Sequence, residues 1–292
     1  MFQSVESMIQ ISEEKKIPLW QVVLEDDMVE RSVDKVESLG AMSDMYCAMK
    51  EADANYDKEL KSSSKLVGGD GAKMERAVKE GNVSSGTFIG KVMARAIKMG
   101  ESNACMKRIV AAPTAGSCGV IPAVLISFEE EFGYNEEKMI EAMYVAAGIG
   151  EVIASRASIS GAQGGCQAEI GSASAMAASA VTYLKGGTSK QIADAAALAL
   201  KSLLGLVCDP VAGLVEVPCV KRNVIGAVNA ITSSDMVMAG IKSKIPADEV
   251  IDAMNEVGLL LPCSLKETSQ AGLAVTPTGL KITEKLAKKS EY

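Results

Sequence analysis

Residues 167–184 read QAEIGSASAMAASAVTYL. Between Gly171 and Ala180 every side chain is small except Met176. The stretch has no strict polar/apolar alternation, so it does not read as a strand. Read as a helix, it carries so little bulk that neighbouring helices can approach its backbone closely. The segments around it agree. Upstream, NEEKMIEAMYVAAGIGEVIASRAS (135–158) reads as a helix with Asn135 as N-cap and Glu136 and Glu137 at its positive dipole end. Downstream, TSKQIADAAALALKSLLGL (188–206) predicts a helix begun at Thr188 or Ser189 and ended near Gly205. PADEVIDAMNEVGLLL (246–261) predicts another, with Pro246 near its start.

Further upstream, Thr114 to Gly119 form a small-residue loop in IVAAPTAGSCGVIPAVLISFEEEFGY, and Pro122 sits where a helix can begin. The stretches KSSSKLVGGDGAKM (61–74) and KEGNVSSGTFIG (79–90) read as polar breaks, and residues 1–60 as charged helix. No segment alternates like a strand, no repeat recurs and no linker is evident. The expected fold is mostly α, with buried Ala/Gly-rich helices. An N-terminal helical extension (1–60) continues into the part that carries the candidate chemistry (61–292).

Apolar residues make up 48% of the chain, enough for a substantial core, but aromatics only 4%, so that core must pack by close backbone approach. A net charge of −7 disfavours nucleic acid, which needs a basic face. No signal-like leader, no membrane-length apolar run and no lipidation signal stands out, so a cytoplasmic protein is expected. Seven cysteines do not read as a disulfide scaffold. The chain has no histidine. Ser-His-Asp hydrolysis, Cys-His proteolysis and histidine-bound zinc therefore drop out together.

Three cysteines draw the chemistry together. Cys166 follows Gly164 and Gly165, while Cys208 and Cys219 lie in GLVCDPVAGLVEVPC (205–219), where Pro210 and Pro218 break regular helix. Structural zinc sites usually pair cysteines two to four residues apart, and no pair here is that close. Three separated thiols on inter-helix loops suit a larger iron–sulfur unit, in which one iron lacks a protein thiolate and can act as a Lewis acid. The competing reading is three buried cysteines packed as small hydrophobes. Cys118 can be a fourth ligand or a bystander. The Thr114–Ser117 hydroxyls and free amides offer a carboxylate or anion site. The Lys65 loop reads either as a substrate-carboxylate loop or as a pyridoxal phosphate site with Lys65 as the Schiff base.

Four ordered motifs, APTAGSCGVIPAVL, SISGAQGGCQAEIGSASAMAA, LGLVCDPVAGLVEVPCVKRN and LKETSQAGLAVTPTG, carry a family resemblance over roughly Ser62 to Gly279. They resemble the alpha chain of the two-subunit, iron–sulfur-dependent L-serine dehydratases. The resemblance implies a lyase of amino-acid degradation and gluconeogenesis that converts L-serine to pyruvate and ammonia. It implies a [4Fe-4S] cluster and no pyridoxal phosphate, with Cys166, Cys208 and Cys219 as ligands. It also implies substrate-binding segments containing Ser64, Lys65, Gly68 and Gly69, and Thr114, Gly116 and Ser117. A beta subunit completes the family's heterodimer. Single-chain relatives carry a histidine shortly before the second cysteine, where this chain reads ALKSLLGLVC, and some end in a cysteine where this chain ends KKSEY. Lys65, Glu169, Asp209 and Ser117 are the candidate bases within the chain. The alternatives are an iron–sulfur lyase on another β-substituted amino acid, such as a cysteine desulfidase, a pyridoxal lyase on Lys65, and a helical scaffold.

Overall fold

The computed structural model describes residues 2–290; Met1 and the last two residues of the KKSEY ending lie outside it. The described residues form helices and turns without a strand. In order they are α1 (Val5–Lys15), α2 (Leu19–Arg31), α3 (Lys35–Ala54), α4 (Asp70–Lys79), α5 (Gly86–Ala104), α6 (Val120–Phe132) and α7 (Glu136–Arg156). Then come α8 (Gly161–Gly164), α9 (Ser172–Leu184), α10 (Ser189–Lys201), α11 (Cys219–Met238), α12 (Ala247–Leu260) and α13 (Pro277–Ser290). Extended pairing is confined to one isolated parallel bridge between Cys208 and Lys266.

Helix α9 is the axis of the fold. All thirteen of its residues are buried, and α6, α7, α10 and α11 pack around it. Small side chains permit this on every side. The one large residue of the stripe, Met176, is accommodated by Gly150 of α7, where a Cβ would lie 2.7 Å from the methionine methyl. Buried hydroxyls are satisfied locally or across helices. Ser174 Oγ donates to Gly226 O, and Asn229 Nδ2 donates to both Ser174 Oγ and Ala199 O, tying α9, α10 and α11 together.

The caps follow the sequence expectations. Asn135 accepts from Lys138 N at the start of α7. Thr188 and Gln191 form a reciprocal capping box on α10. Two boundaries differ. The charged N-terminal stretch splits into α2 and α3, because Ser32 adopts a left-handed cap (φ 55°) and Asp34 restarts the helix by accepting from Glu37 N. Helix α10 stops at Lys201, and a turn precedes Gly205. The N-terminal helices share the main core: Val5, Met8, Leu19 and Val23 join the same apolar cluster as α7, α9 and α10. Asp248 of α12 receives the first amides of α1, from Val5 and Glu6. No helix among the described residues is long and apolar enough to cross a membrane.

Candidate active site

The three cysteines singled out in the sequence are free and buried. Their setting differs from the expectation of three loop ligands. Cys208 lies on an extended loop, but Cys166 opens the π-helical turn Gln167–Gly171 and Cys219 is the first residue of α11. A sulfur at a helix start faces unpaired amides and the positive end of the dipole, which favours negative charge there. The prolines and glycines that suggested loops act as helix punctuation instead, with Pro218 as the N-cap of α11.

One side chain, Arg222, ties the three segments together. It projects from α11 one turn after Cys219, donates from Nη1 to Val207 O at 2.8 Å and from Nη2 to Asp209 Oδ1 at 2.8 Å, and its positive charge lies near enough to the Cys166 sulfur to favour the thiolate there. Burial opposes the Arg222 charge, but Cys166 and Asp209 outweigh it and hold the guanidinium protonated above its usual range. Burial pushes the Cys166 thiol up to about 11, against the pull of Arg222. It pushes Cys219 up to about 12 and Cys208 higher still, and neighbouring Cys166 adds to both shifts. Each thiolate therefore discourages the next, and positive charge entering among them would favour their ionisation.

This donor set fits an iron–sulfur group in kind. Three buried sulfurs converge, none is oxidised to a disulfide, and a fixed cation stands beside them. A single ion would need tighter packing. Among the described residues, only Asp26, Glu30 and Glu151 bring three ligand atoms within 4.8 Å of one another. Cys118 is buried, its thiol is raised to about 12 by desolvation, and its sulfur points to Met99 O. Cys263 is exposed, and Cys47 and Cys105 are partly buried.

Both predicted substrate segments reach the cysteine segments through side chains that the sequence reading missed. Asn223, the residue after Arg222, accepts from Gly119 N and donates to Gly116 O and Cys219 O. It thus bolts the Thr114–Gly119 loop to α11. In that loop Thr114 and Ser117 form a reciprocal cap. Thr114 Oγ1 also donates to Glu169 Oε1 at 2.8 Å, on the π-helical turn that follows Cys166. Glu169 lies close to Cys208: a Cβ on Gly161 would stand 2.7 Å from Glu169 Oε2 and 3.0 Å from Cys208 Sγ. Burial raises the Glu169 carboxyl, the Thr114 hydrogen bond opposes this, and nearby Glu267 adds to it.

The second segment is held by two buried acids. Glu101 of α5 accepts from the amides of Gly68, Asp70 and Gly71 and from Tyr56 Oη. Glu216, just before Cys219, accepts from Ser62 Oγ and Ser64 Oγ. Gly68 and Gly69 take positive φ, as does Lys65 (φ 64°), whose side chain is exposed. The motif LKETSQAGLAVTPTG forms a strap over Cys208. The amide of Cys208 donates to Leu265 O, Glu267 N donates to Cys208 O, and Leu273 N donates to Asp209 Oδ2. Gly272 is required there, because a Cβ would fall 2.4 Å from Asp209 Oδ2.

Arg222 and Asn223 were visible in CVKRN: at three and four residues after Cys219 they share its helix face. Glu216 announced itself only as an acid between two valines, and Glu101, in KMGESNA, gave no signal.

Comparisons with known proteins place these segments within one family. The family model described as serine dehydratase alpha chain covers residues 14–274. The probable L-serine dehydratase alpha chain of Bacillus subtilis (strain 168) is 46% identical over 286 residues, 98% of this chain and 95% of that one. The L-serine dehydratase alpha chain of Peptoniphilus asaccharolyticus is 38% identical over 294 residues, 100% of both chains. A probable L-serine dehydratase alpha chain of Latilactobacillus sakei is 54% identical over 190 residues, 65% of this chain and 91% of its own. With all three cysteine segments and both loops inside the matched span, the chain belongs to the serine dehydratase alpha chain family.

Proposed function

We propose that this chain is the catalytic alpha subunit of an L-serine dehydratase, that Cys166, Cys208 and Cys219 hold a [4Fe-4S] cluster, and that a beta subunit completes the enzyme. The observation that carries the reading is the Arg222 tie among three buried, free cysteines in a chain of this family. When bound, such a cluster supplies a Lewis-acidic iron for the serine hydroxyl.

The protein's own residues then have separable tasks. The Thr114–Ser117 loop and the Ser64–Gly69 turn flank the substrate carboxylate, and because the Ser64 hydroxyl and the Gly68 amide are already engaged, the exposed Lys65 supplies the turn's positive charge. Glu169, desolvated between Thr114 and Cys208, holds a proton more readily than an ordinary carboxylate. The strap that starts at Leu265 covers Cys208 and Asp209. Loss of the α-proton and the β-hydroxide removes one water and leaves aminoacrylate. Its imine tautomer takes up one water and gives pyruvate and ammonia. The pyridoxal reading is disfavoured because the amides of Gly68, Asp70 and Gly71, which a phosphate would need, already serve Glu101. The absence of histidine favours a partner that contributes to proton transfer.

The test is anaerobic iron–sulfur reconstitution of the chain, alone and with its beta chain. Pyruvate would be assayed from L-serine, with L-cysteine alongside. Pyruvate from L-serine that needs both iron and the partner supports the reading. Iron-independent turnover, or turnover confined to L-cysteine, contradicts it.

A further inference from the structure

We infer that Glu216 is a positioning residue that couples the Ser62–Lys65 turn to the Cys219 end of the site; this rests on the dehydratase reading above. Glu216 is 5% exposed. One of its oxygens, Oε2, accepts from Ser62 Oγ at 3.0 Å and from Ser64 Oγ at 2.5 Å. Its own carbonyl accepts from Val220 N, so the residue is built into the start of α11 beside Cys219. The turn and the cysteine segment, about 150 residues apart in sequence, are thus joined through a single carboxylate oxygen.

The hydroxyl chemistry defines the role. Each serine has one hydroxyl proton: Ser64 directs its own to Glu216, and Ser62 shares its proton between Glu216 and Ser64 Oγ, 3.0 Å away. Ser64 Oγ also accepts from Leu66 N at 3.0 Å, and Ser62 Oγ from Val67 N at 3.5 Å. The two hydroxyls therefore shape the turn and fix its position relative to Cys219, and Glu216 acts on substrate only by holding that turn in place. Glu101 grips the following residues, Gly68 to Gly71, but ties them to α5 rather than to a cysteine segment. Glu216 alone of the two sets the distance between the carboxylate-binding turn and the sulfur ligands.

Because one oxygen accepts both hydroxyls, an amide can replace the carboxylate without losing either bond. A methyl cannot. The experiment measures KM and kcat for L-serine, with iron per chain, in the anaerobically reconstituted holoenzyme. For Glu216→Ala we expect KM to rise about tenfold or more, the scale of losing a buried hydrogen bond to a charged group, with iron per chain unchanged. Glu216→Gln should keep KM within about threefold of wild type. Ser64→Ala should raise KM in the same direction, and adding it to Glu216→Ala should cost little more, since both changes remove one link. If Glu216→Ala fails to fold, Glu216→Gln and Ser64→Ala decide the matter by the same criteria. An unchanged KM in Glu216→Ala overturns the inference. So does loss of iron in that variant, which would make Glu216 part of cluster assembly, or loss of kcat in Glu216→Gln, which would make it a proton-transfer group. A wild-type holoenzyme that releases no pyruvate from L-serine sinks the dehydratase reading itself. Wild-type turnover with an indifferent Glu216→Ala sinks only the inference.

Discussion

Glu101 shows how much one buried side chain can organise. It is 1% exposed, and its two oxygens receive four donors: the Gly68 and Asp70 amides on Oε1, the Gly71 amide and Tyr56 Oη on Oε2. Glutamine has the same shape but must present an NH2 to one of those donor pairs. Glu101→Gln should therefore destabilise the fold by about 1–3 kcal/mol, the cost of stranding buried donors. Chemical denaturation of the two proteins measures it, and equal stability would mean the loop does not depend on Glu101. The same residue marks where sequence reading stops. Thr114, Ser117 and the three cysteines were legible because their types and neighbours suggest chemistry on sight. Glu101 and Glu216 were not, because their importance depends on partners from 30 to more than 150 residues away.

At the level of helices, α9 was the most legible element, and its legibility came from volume. A run of small side chains interrupted only by Met176 lets neighbouring backbones approach on every side, which suits a position surrounded by other helices. Ala177 lies at the centre of α9 with no exposed surface. Ala177→Leu should cost at least about 1–3 kcal/mol by overpacking. A melt that leaves Tm unchanged would show that the axis is looser than this packing implies. The pairing of α4 with α11 offers a pH test. Lys221 of α11, then Lys73, hydrogen-bond Asp70 and hold its carboxyl down at about 2, against an ordinary value of 3.8. A depressed carboxyl stabilises the fold above its unfolded value and loses that contribution as pH falls through its folded value. The stability gap between wild type and Asp70→Asn should therefore stay constant above about pH 4 and close between 3.8 and about 2. Because the pair is partly exposed, the gap should be small and should shrink with salt. A gap that widens in acid would contradict the assignment. The split between α2 and α3 was less legible, since a serine in left-handed geometry carries no strong sequence signal.

Across the whole molecule, the helical core brings together segments that begin near residues 62, 114, 166, 208 and 266. Each reaches the cysteines through a specific side chain or backbone bridge: Glu216, Asn223, Arg222 or the Cys208–Lys266 pairing. The sequence motifs named these segments but could not show how they connect, because connection is a property of the packed helices. They also suggested that all three cysteines lie in loops, whereas two begin helical turns, where the dipole helps hold sulfur charge. The central claim is that Cys166, Cys208 and Cys219 together hold one iron–sulfur cluster that the dehydration requires. The most direct measurement is iron and sulfide per chain after anaerobic reconstitution, taken with the absorbance spectrum, for wild type, Cys208→Ser and Cys263→Ser. The account predicts about four irons and four sulfides in wild type and Cys263→Ser, with a broad brown absorbance. It predicts a marked loss of both in Cys208→Ser. A Cys208→Ser protein with wild-type iron, sulfide and spectrum would contradict it.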